Sequence, residues 1–193
     1  MSRGKTSKQA ILNRTLAALE AGEVDAFNMG RVANRAGISR QALYLHFASR
    51  SELAIGTARY ADEKYGIESE LAPVLAAATG TELLDAFAGF VSRYNPKIYP
   101  IVRAADALRF DHPEIAEAWA ERLAQRRRGN RQAATKLQAW GELGPTWSVN
   151  AAADWLTSHA SVKWWEELVI DLGWSHRRFE KTLAQTLKAS LLG

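Results

Sequence analysis

The sequence predicts an all-α fold: a small N-terminal three-helix head, a linking helix and a larger helical domain, about nine helices in all. Three observations lead there. No stretch alternates apolar and polar residues as a half-buried strand would. Ala, Leu, Glu and Arg, all good helix formers, dominate the chain. Gly, Asn, Ser and Pro stand where helices would begin and end. With 193 residues, 47% of them hydrophobic and 24% charged, the chain has the make-up of a globular protein able to bury a core.

The elements follow in order. From about Ser7 to Ala21, Leu12, Leu16 and Leu19 recur on one face, and Gly22 ends the helix. Asn28 is a good N-cap for a second helix that turns Met29, Val32, Ala33 and Ala36 inward. Gly37 suits a tight turn, and Ser39 caps a third helix with Leu43 and Phe47 directed to the core. Ser49 and Glu52 fit a capping box that opens a fourth helix, running to about Tyr65, with Gly66 as a break. Residues 1–56 are read as the head and residues 57–193 as the larger domain. In that domain a helix is expected from Glu82 to Tyr94, interrupted by Asn95-Pro96 and Tyr99-Pro100. A short helix follows from Ile101 to Phe110. A long one towards Trp140 is expected to open on Asp111 and Glu114 as a second capping box. Another spans Ser148 to Leu172. The last follows the Gly173-Trp174-Ser175 turn and runs to Leu191.

Charge is distributed unevenly. The first 56 residues hold eight Lys and Arg against four Asp and Glu, so the whole net charge of +4 resides there and the remainder is neutral. A basic head on a neutral body is what phosphate binding needs; a basic tail on an ordinary helical protein is the plainer alternative. There is no cysteine, which excludes disulfides and thiolate metal sites. His46, His112, His159 and His176 show no ligand spacing, and neither a metal nor a cofactor is expected. No Gly-x-Ser-x-Gly motif appears, and no carboxylate–histidine cluster has metal spacing, so an enzyme is not expected. The start, MSRGKTSK, has no hydrophobic signal core, and no apolar run reaches membrane-spanning length. The expected location is the cytoplasm, with no membrane partner.

Residues 28–50 carry the chemistry. Two short helices flanking Gly37-Ile38-Ser39 have the layout of a helix-turn-helix, whose second helix enters the DNA major groove. Arg40 can fork onto guanine O6 and N7, and Gln41 can pair with adenine N6 and N7. Ala42 is small enough to let the helix sit deep, and its methyl can touch a thymine methyl. Tyr44 and His46 lie where a side chain reaches a phosphate oxygen. Ser39 starts the reading helix. Arg50 and the free N–H groups at the start of the fourth helix form a second anion site. Arg31, and Arg3, Lys5 and Lys8 in the N-terminal arm, can add phosphate or minor-groove contacts. Taken singly, Tyr44 reads equally as a half-buried core aromatic, His46 as a surface histidine and Arg50 as a solvated helix-start charge. The pattern as a whole points to double-stranded DNA.

The run Ile38-Ser39-Arg40-Gln41-Ala42-Leu43-Tyr44-Leu45-His46-Phe47, then Ser49-Arg50-Ser51-Glu52-Leu53, resembles the signature of the tetracycline-repressor (TetR) family, with Val32-Ala33 and Ala36-Gly37 matching the preceding helix. The resemblance covers about residues 7–56. Ile38 stands where that pattern has Val. Arg50 stands for a Lys and keeps its charge. Asn28 stands for a capping Thr. Arg40 and Gln41 occupy variable positions, so no operator sequence carries over. The resemblance implies an all-helical homodimer on a palindromic operator. It also implies a C-terminal domain that takes a small-molecule effector and releases DNA, that is, a repressor.

All seven Trp lie after residue 110. Trp119, Trp140, Trp147 and Trp155, with Phe87, Phe90, Tyr94, Ile101 and Leu123, are candidates for an effector cavity that favours an apolar or aromatic molecule. His159 is either a satisfied core polar group or the cavity's hydrogen-bond partner. Ordinary core packing is the alternative for each of these residues. A dimer face is expected from Trp164, Trp165 and Leu168, together with the stripe Phe179, Leu183 and Leu187 on the last helix, because this pair of helices has more apolar surface than one core needs. The other reading is that the aromatic surplus docks a protein partner. Arg126, Arg127, Arg128 and Arg131 read as a solvated basic face.

Overall fold

The computed structural model describes residues 7–23 and 25–193. Among the described residues the chain forms ten α-helices, and its one β-type pairing is an isolated bridge between Leu143 and Leu192. It divides into two compact units, the first comprising residues up to Tyr65 and 98–122, the second residues 66–97 and 123–193.

The first unit contains α1 (Lys8–Glu20), α2 (Met29–Ala36), α3 (Arg40–Tyr44) and α4 (Arg50–Lys64), with the last part of α6 (Gly80–Leu108) and the first part of α7 (Pro113–Ala139). The apolar spacing of α1 places Ile11, Leu16 and Leu19 inside. They meet Phe27, Leu43, Phe47 and Leu53, and Ile115 and Ala118 of α7 join the same core. The boundary drawn at residue 56 from sequence therefore falls inside α4, and the compact unit adds a non-contiguous piece. Two ion pairs also bind α7 to α4: Arg59 to Glu121 at 2.9 Å and Arg122 to Asp62 at 2.8 Å. No local pattern announces such a long-range docking.

The second unit holds α5 (Ile67–Ala76), the first part of α6, the rest of α7, α8 (Val149–His159), α9 (Val162–Trp165) continued by a π-helical turn over Glu166–Asp171, and α10 (His176–Leu191). No helix is expected from sequence between Gly66 and Thr79, yet α5 forms there. Only Val74 on it is fully buried, so its amphipathic signal is weak. It is held by charge, with Glu70 pairing to Arg93 at 3.0 Å and Lys97 at 2.8 Å. Three further expectations are corrected. α6 runs unbroken through Pro96 and Pro100. Spaced by four, these residues remove two backbone bonds from one side of the helix. Buried Val91, Tyr94 and Ile101 hold the turns around them.

α7 opens on Pro113, a residue whose fixed φ suits the first helical position. The His112 carbonyl accepts the first bonds, from Ile115 at 2.9 Å and Ala116 at 3.1 Å. Asp111 thus lies one residue outside the cap, and the Asp111–Glu114 box does not form. The single helix expected over Ser148–Leu172 is broken after His159. Ser161 starts a new helix by accepting from the Lys163 N–H at 3.2 Å. Buried Asn95 donates to the carbonyls of Ala160 and Ser161, at 3.5 and 3.4 Å, which ties the break to α6.

The core of the second unit gathers Leu83, Leu84, Phe87, Leu137, Leu156, Phe179, Leu183 and Leu187. The stripe on α10 expected to face a second copy is therefore core of its own unit: Phe179, Leu183 and Leu187 are all at 0% exposure, and Trp165 is also buried. A 16-residue terminal helix whose stripe closes its own core has nothing left on that side for a partner.

Candidate nucleic-acid interface

The second helix of the pair, α3, is positioned by its neighbours. Asn28 Oδ1 accepts from the N–H groups of Gly30 at 3.0 Å and Arg31 at 3.2 Å, which fixes the start of α2. Its end is set by Gly37, whose φ of 68° is a left-handed conformation that a side chain would strain. The Ile38 N–H then returns to the Ala33 carbonyl at 3.1 Å, and the chain reverses into α3. Ser39 Oγ accepts from the Ala42 N–H at 3.1 Å. Leu43 and Phe47 root α3 in the core at 0% exposure. With those two faces inward, Arg40, Gln41, Tyr44 and Leu45 must face out, and Leu45 is 86% exposed. The Arg40 guanidinium lies 5.8 Å from the Tyr44 ring centroid and donates to its hydroxyl at 3.5 Å.

The start of α4 is fixed in the same way. Ser49 Oγ accepts from the Glu52 N–H at 3.0 Å, and the Glu52 carboxylate accepts from the Ala48 N–H at 2.8 Å and from Lys8 at 3.1 Å. These bonds, the Ala48 N–H foremost and then Lys8, hold the Glu52 carboxyl below its usual range. Unfolded, the group binds a proton more readily than folded, so its stabilisation is present above the ordinary glutamate range of about 4.3 and fades as pH falls below it. Glu52→Gln is expected to lower the melting temperature at neutral pH and to flatten its fall between about pH 5 and 3, with the two proteins converging at the acid end. Thermal melts across that range check this; parallel curves would refute it.

Between the N-terminal ends of α2 and α4 lies a cleft of about 370 Å³, lined by Asn28, Gly30, Ser49 and Arg50 and closed by Arg40, Tyr44 and Glu114. Two helix N-termini and the Arg40 and Arg50 guanidinium groups make this a candidate seat for an anion. Among the described residues Arg50 has no carboxylate partner.

Other sequence-derived candidates stand as follows. Gln41 is exposed beside Arg40, and Ala42 and His46 are half-buried on the same helix end. Arg31 is exposed but paired with Asp25 at 3.1 Å, and Lys8 is held by Glu52 and lies 4.8 Å from the Phe47 ring centroid. Arg3 and Lys5 lie outside the described residues. Sequence reasoning missed Glu114 as a wall of the seat and Leu45 as an outward side chain. Leu45 was legible, since it stands four residues after Gln41.

The aromatic residues proposed for an effector cavity divide between the units. Ile101 and Trp119 belong to the first, where the Trp119 ring lies 4.8 Å from the Arg109 guanidinium. In the second, Phe87 and Tyr94 are buried, Phe90 stacks on Tyr94 at 5.3 Å, and Leu123 is exposed. Trp147, Trp155, His159 and Trp164 form a continuous row ending on Phe179, with ring spacings of 5.6, 4.3, 5.2 and 5.3 Å. His159 Nδ1 lies 2.8 Å from the Trp155 carbonyl, and the Trp155 indole donates to Ser190 Oγ at 3.0 Å. At the end of α8 this row borders a cleft of about 280 Å³ lined by Ser158, His159, Ser161, Lys163, Trp164 and Glu167. Trp140 is half-buried, with Lys136 at 5.9 Å from its ring. Arg127 of the basic run pairs with Asp154, and Arg131 bonds Asn150 at 3.1 Å. Among the described residues no three His, Asp or Glu side chains are grouped to hold a metal, and no helix is long and apolar enough to cross a membrane.

A capped helix, a glycine turn and a second helix rooted by Leu43 and Phe47 form a helix-turn-helix. Residues 11–56 match the model of the bacterial regulatory proteins, tetR family. That match lies within the first unit and covers its helix-turn-helix. No curated protein sequence matches the chain. Among solved structures, a transcriptional regulator from Saccharomonospora viridis in complex with choline superposes with a TM-score of 0.72 at 12% identity, over 96% of this chain and 97% of that one. A TetR-family transcriptional regulator from Rhodococcus sp. gives 0.72 at 18% identity, over 95% and 97%. The regulator FadR from Bacillus subtilis in complex with stearoyl-CoA gives 0.69 at 16% identity, over 93% and 97%. At these identities the likeness is one of fold, and it extends over both units.

Proposed function

We propose that the protein is a ligand-responsive repressor: a homodimer that occupies a palindromic operator in the cytoplasm and leaves it when a small apolar or aromatic molecule binds the second unit. The observation that carries the DNA half is the outward face of α3 beside a seat built from two helix N-termini, Arg40 and Arg50. The row of four indole and imidazole rings from Trp147 to Trp164 supports an aromatic or apolar effector, and relatives of the same fold hold choline and stearoyl-CoA. Because the α10 stripe is core, the dimer face falls to outward groups nearby. Half-buried Trp164 and Leu168 supply part of it, and Ile170 and Leu172, at 52% and 62% exposure, the rest. Repression follows from linkage: an effector that prefers the head separation unsuited to DNA weakens DNA binding by the factor by which DNA weakens it.

The experiment is a mobility-shift assay on DNA upstream of the protein's own gene, followed by a thermal-shift screen of apolar and aromatic compounds. A stabilising compound that also releases DNA supports the reading. Binding indifferent to salt would count against the DNA half. No stabiliser across a diverse set would favour the second reading, in which exposed Ile170 and Leu172 dock a protein partner.

A further inference from the structure

One group in the anion seat opposes its purpose. Glu114, in the first turn of α7, lines the same cleft as Arg40, Tyr44, Arg50 and the N-terminal ends of α2 and α4. Its side chain is exposed and, among the described residues, makes no ion pair or hydrogen bond. Capping does not account for it, since the cap of α7 is His112. Docking of α7 does not either. That is supplied by buried Ile115 and Ala118 and by the Arg59–Glu121 and Arg122–Asp62 pairs, all C-terminal to Glu114.

We propose that Glu114 is an electrostatic brake on DNA binding. Its carboxylate lines the cleft that the incoming phosphate would enter, and it repels that phosphate. A negative charge in the same cleft as a phosphate weakens binding by a factor set by their separation and the local dielectric, and salt screens it over about 10 Å at 0.1 M. The inference rests on the head being a DNA reader, and it gives that reading a residue that limits affinity.

The test uses the full-length protein and double-stranded DNA that the wild type selects from a random pool. Affinity is measured across a salt series for wild type, Glu114→Gln, Glu114→Lys and Glu117→Gln. Glu117 is exposed one turn further along α7 and is not among the seat's lining residues, so its variant controls for net charge. Glu114→Gln is expected to bind about threefold to tenfold tighter at low salt and to approach wild type at high salt. Glu117→Gln is expected to change affinity by less than about twofold. Glu114→Lys is expected to bind tighter still and to steepen the salt dependence by about one phosphate contact. Equal or weaker binding by Glu114→Gln overturns the inference, as does an equal gain for Glu117→Gln. If the wild type selects no sequence and Arg50→Ala changes nothing, it is the DNA reading itself that has failed.

Discussion

Phe47→Ala is expected to remove about 3–5 kcal/mol of stability, the usual cost of truncating a fully buried phenylalanine. The ring is at 0% exposure at the foot of α3, and it packs close enough to α4 that a Cβ built on Gly56 would meet its edge at 3.3 Å. The site cannot collapse easily, because Leu12, Leu43 and Leu53 around it are themselves buried. In a unit of this size the loss corresponds to a fall in melting temperature of at least about 10 °C, read by circular dichroism or calorimetry. DNA affinity is expected to fall with it even though Phe47 touches no DNA, since α3 loses its anchor. Phe47→Leu should recover most of both. A shift of only a few degrees would mean that the reading helix is held elsewhere.

Arg40→Ala and Arg50→Ala are expected to fail differently. Arg40 leads the outward face of α3, where a bidentate contact to guanine is worth about 1–3 kcal/mol of discrimination. Its removal should weaken binding by that amount on the selected site and relax the base preference at one position of each half-site. Arg50 sits at the start of α4 within the seat. Its removal should weaken binding almost equally on all sequences and reduce the salt slope by about 1. Repeating the selection with each variant, with anisotropy titrations over a salt series, separates the two. An unchanged base preference for Arg40→Ala would reassign it to the phosphates. The exposed arc also places Leu45 four residues after Gln41, so the outward face of α3 is less purely polar than Arg40 and Gln41 imply.

Where the head was legible in the sequence, the reasons are local. Caps at Asn28, Ser39 and Ser49 were readable because each side chain satisfies N–H groups two or three residues ahead, and all three bonds are present. Gly37 was readable because a left-handed turn favours a residue without a side chain. Local rules misled where distant packing prevailed. Local rules make Pro96 and Pro100 breaks, yet the turns around them are buried and α6 persists. The apolar run after Ser148 reads as one helix, yet Asn95, more than fifty residues earlier, supplies hydrogen bonds to a break at Ala160 and Ser161. The apolar surplus on the last helices reads as a face for a second copy, yet Phe179, Leu183 and Leu187 are consumed by their own core.

Sequence alone determined the helical class, the three-helix head and the outward placement of Arg40, Gln41 and Tyr44, because periodicity, caps and a glycine turn act over a few residues and need no partner. Only the tertiary structure decided that residues 98–122 complete the first unit, that the α10 stripe is core, and that Glu114 stands among the arginines of the anion seat. Each of these depends on residues far apart in the chain meeting in space, and no pattern within one segment encodes which distant segment will cover it.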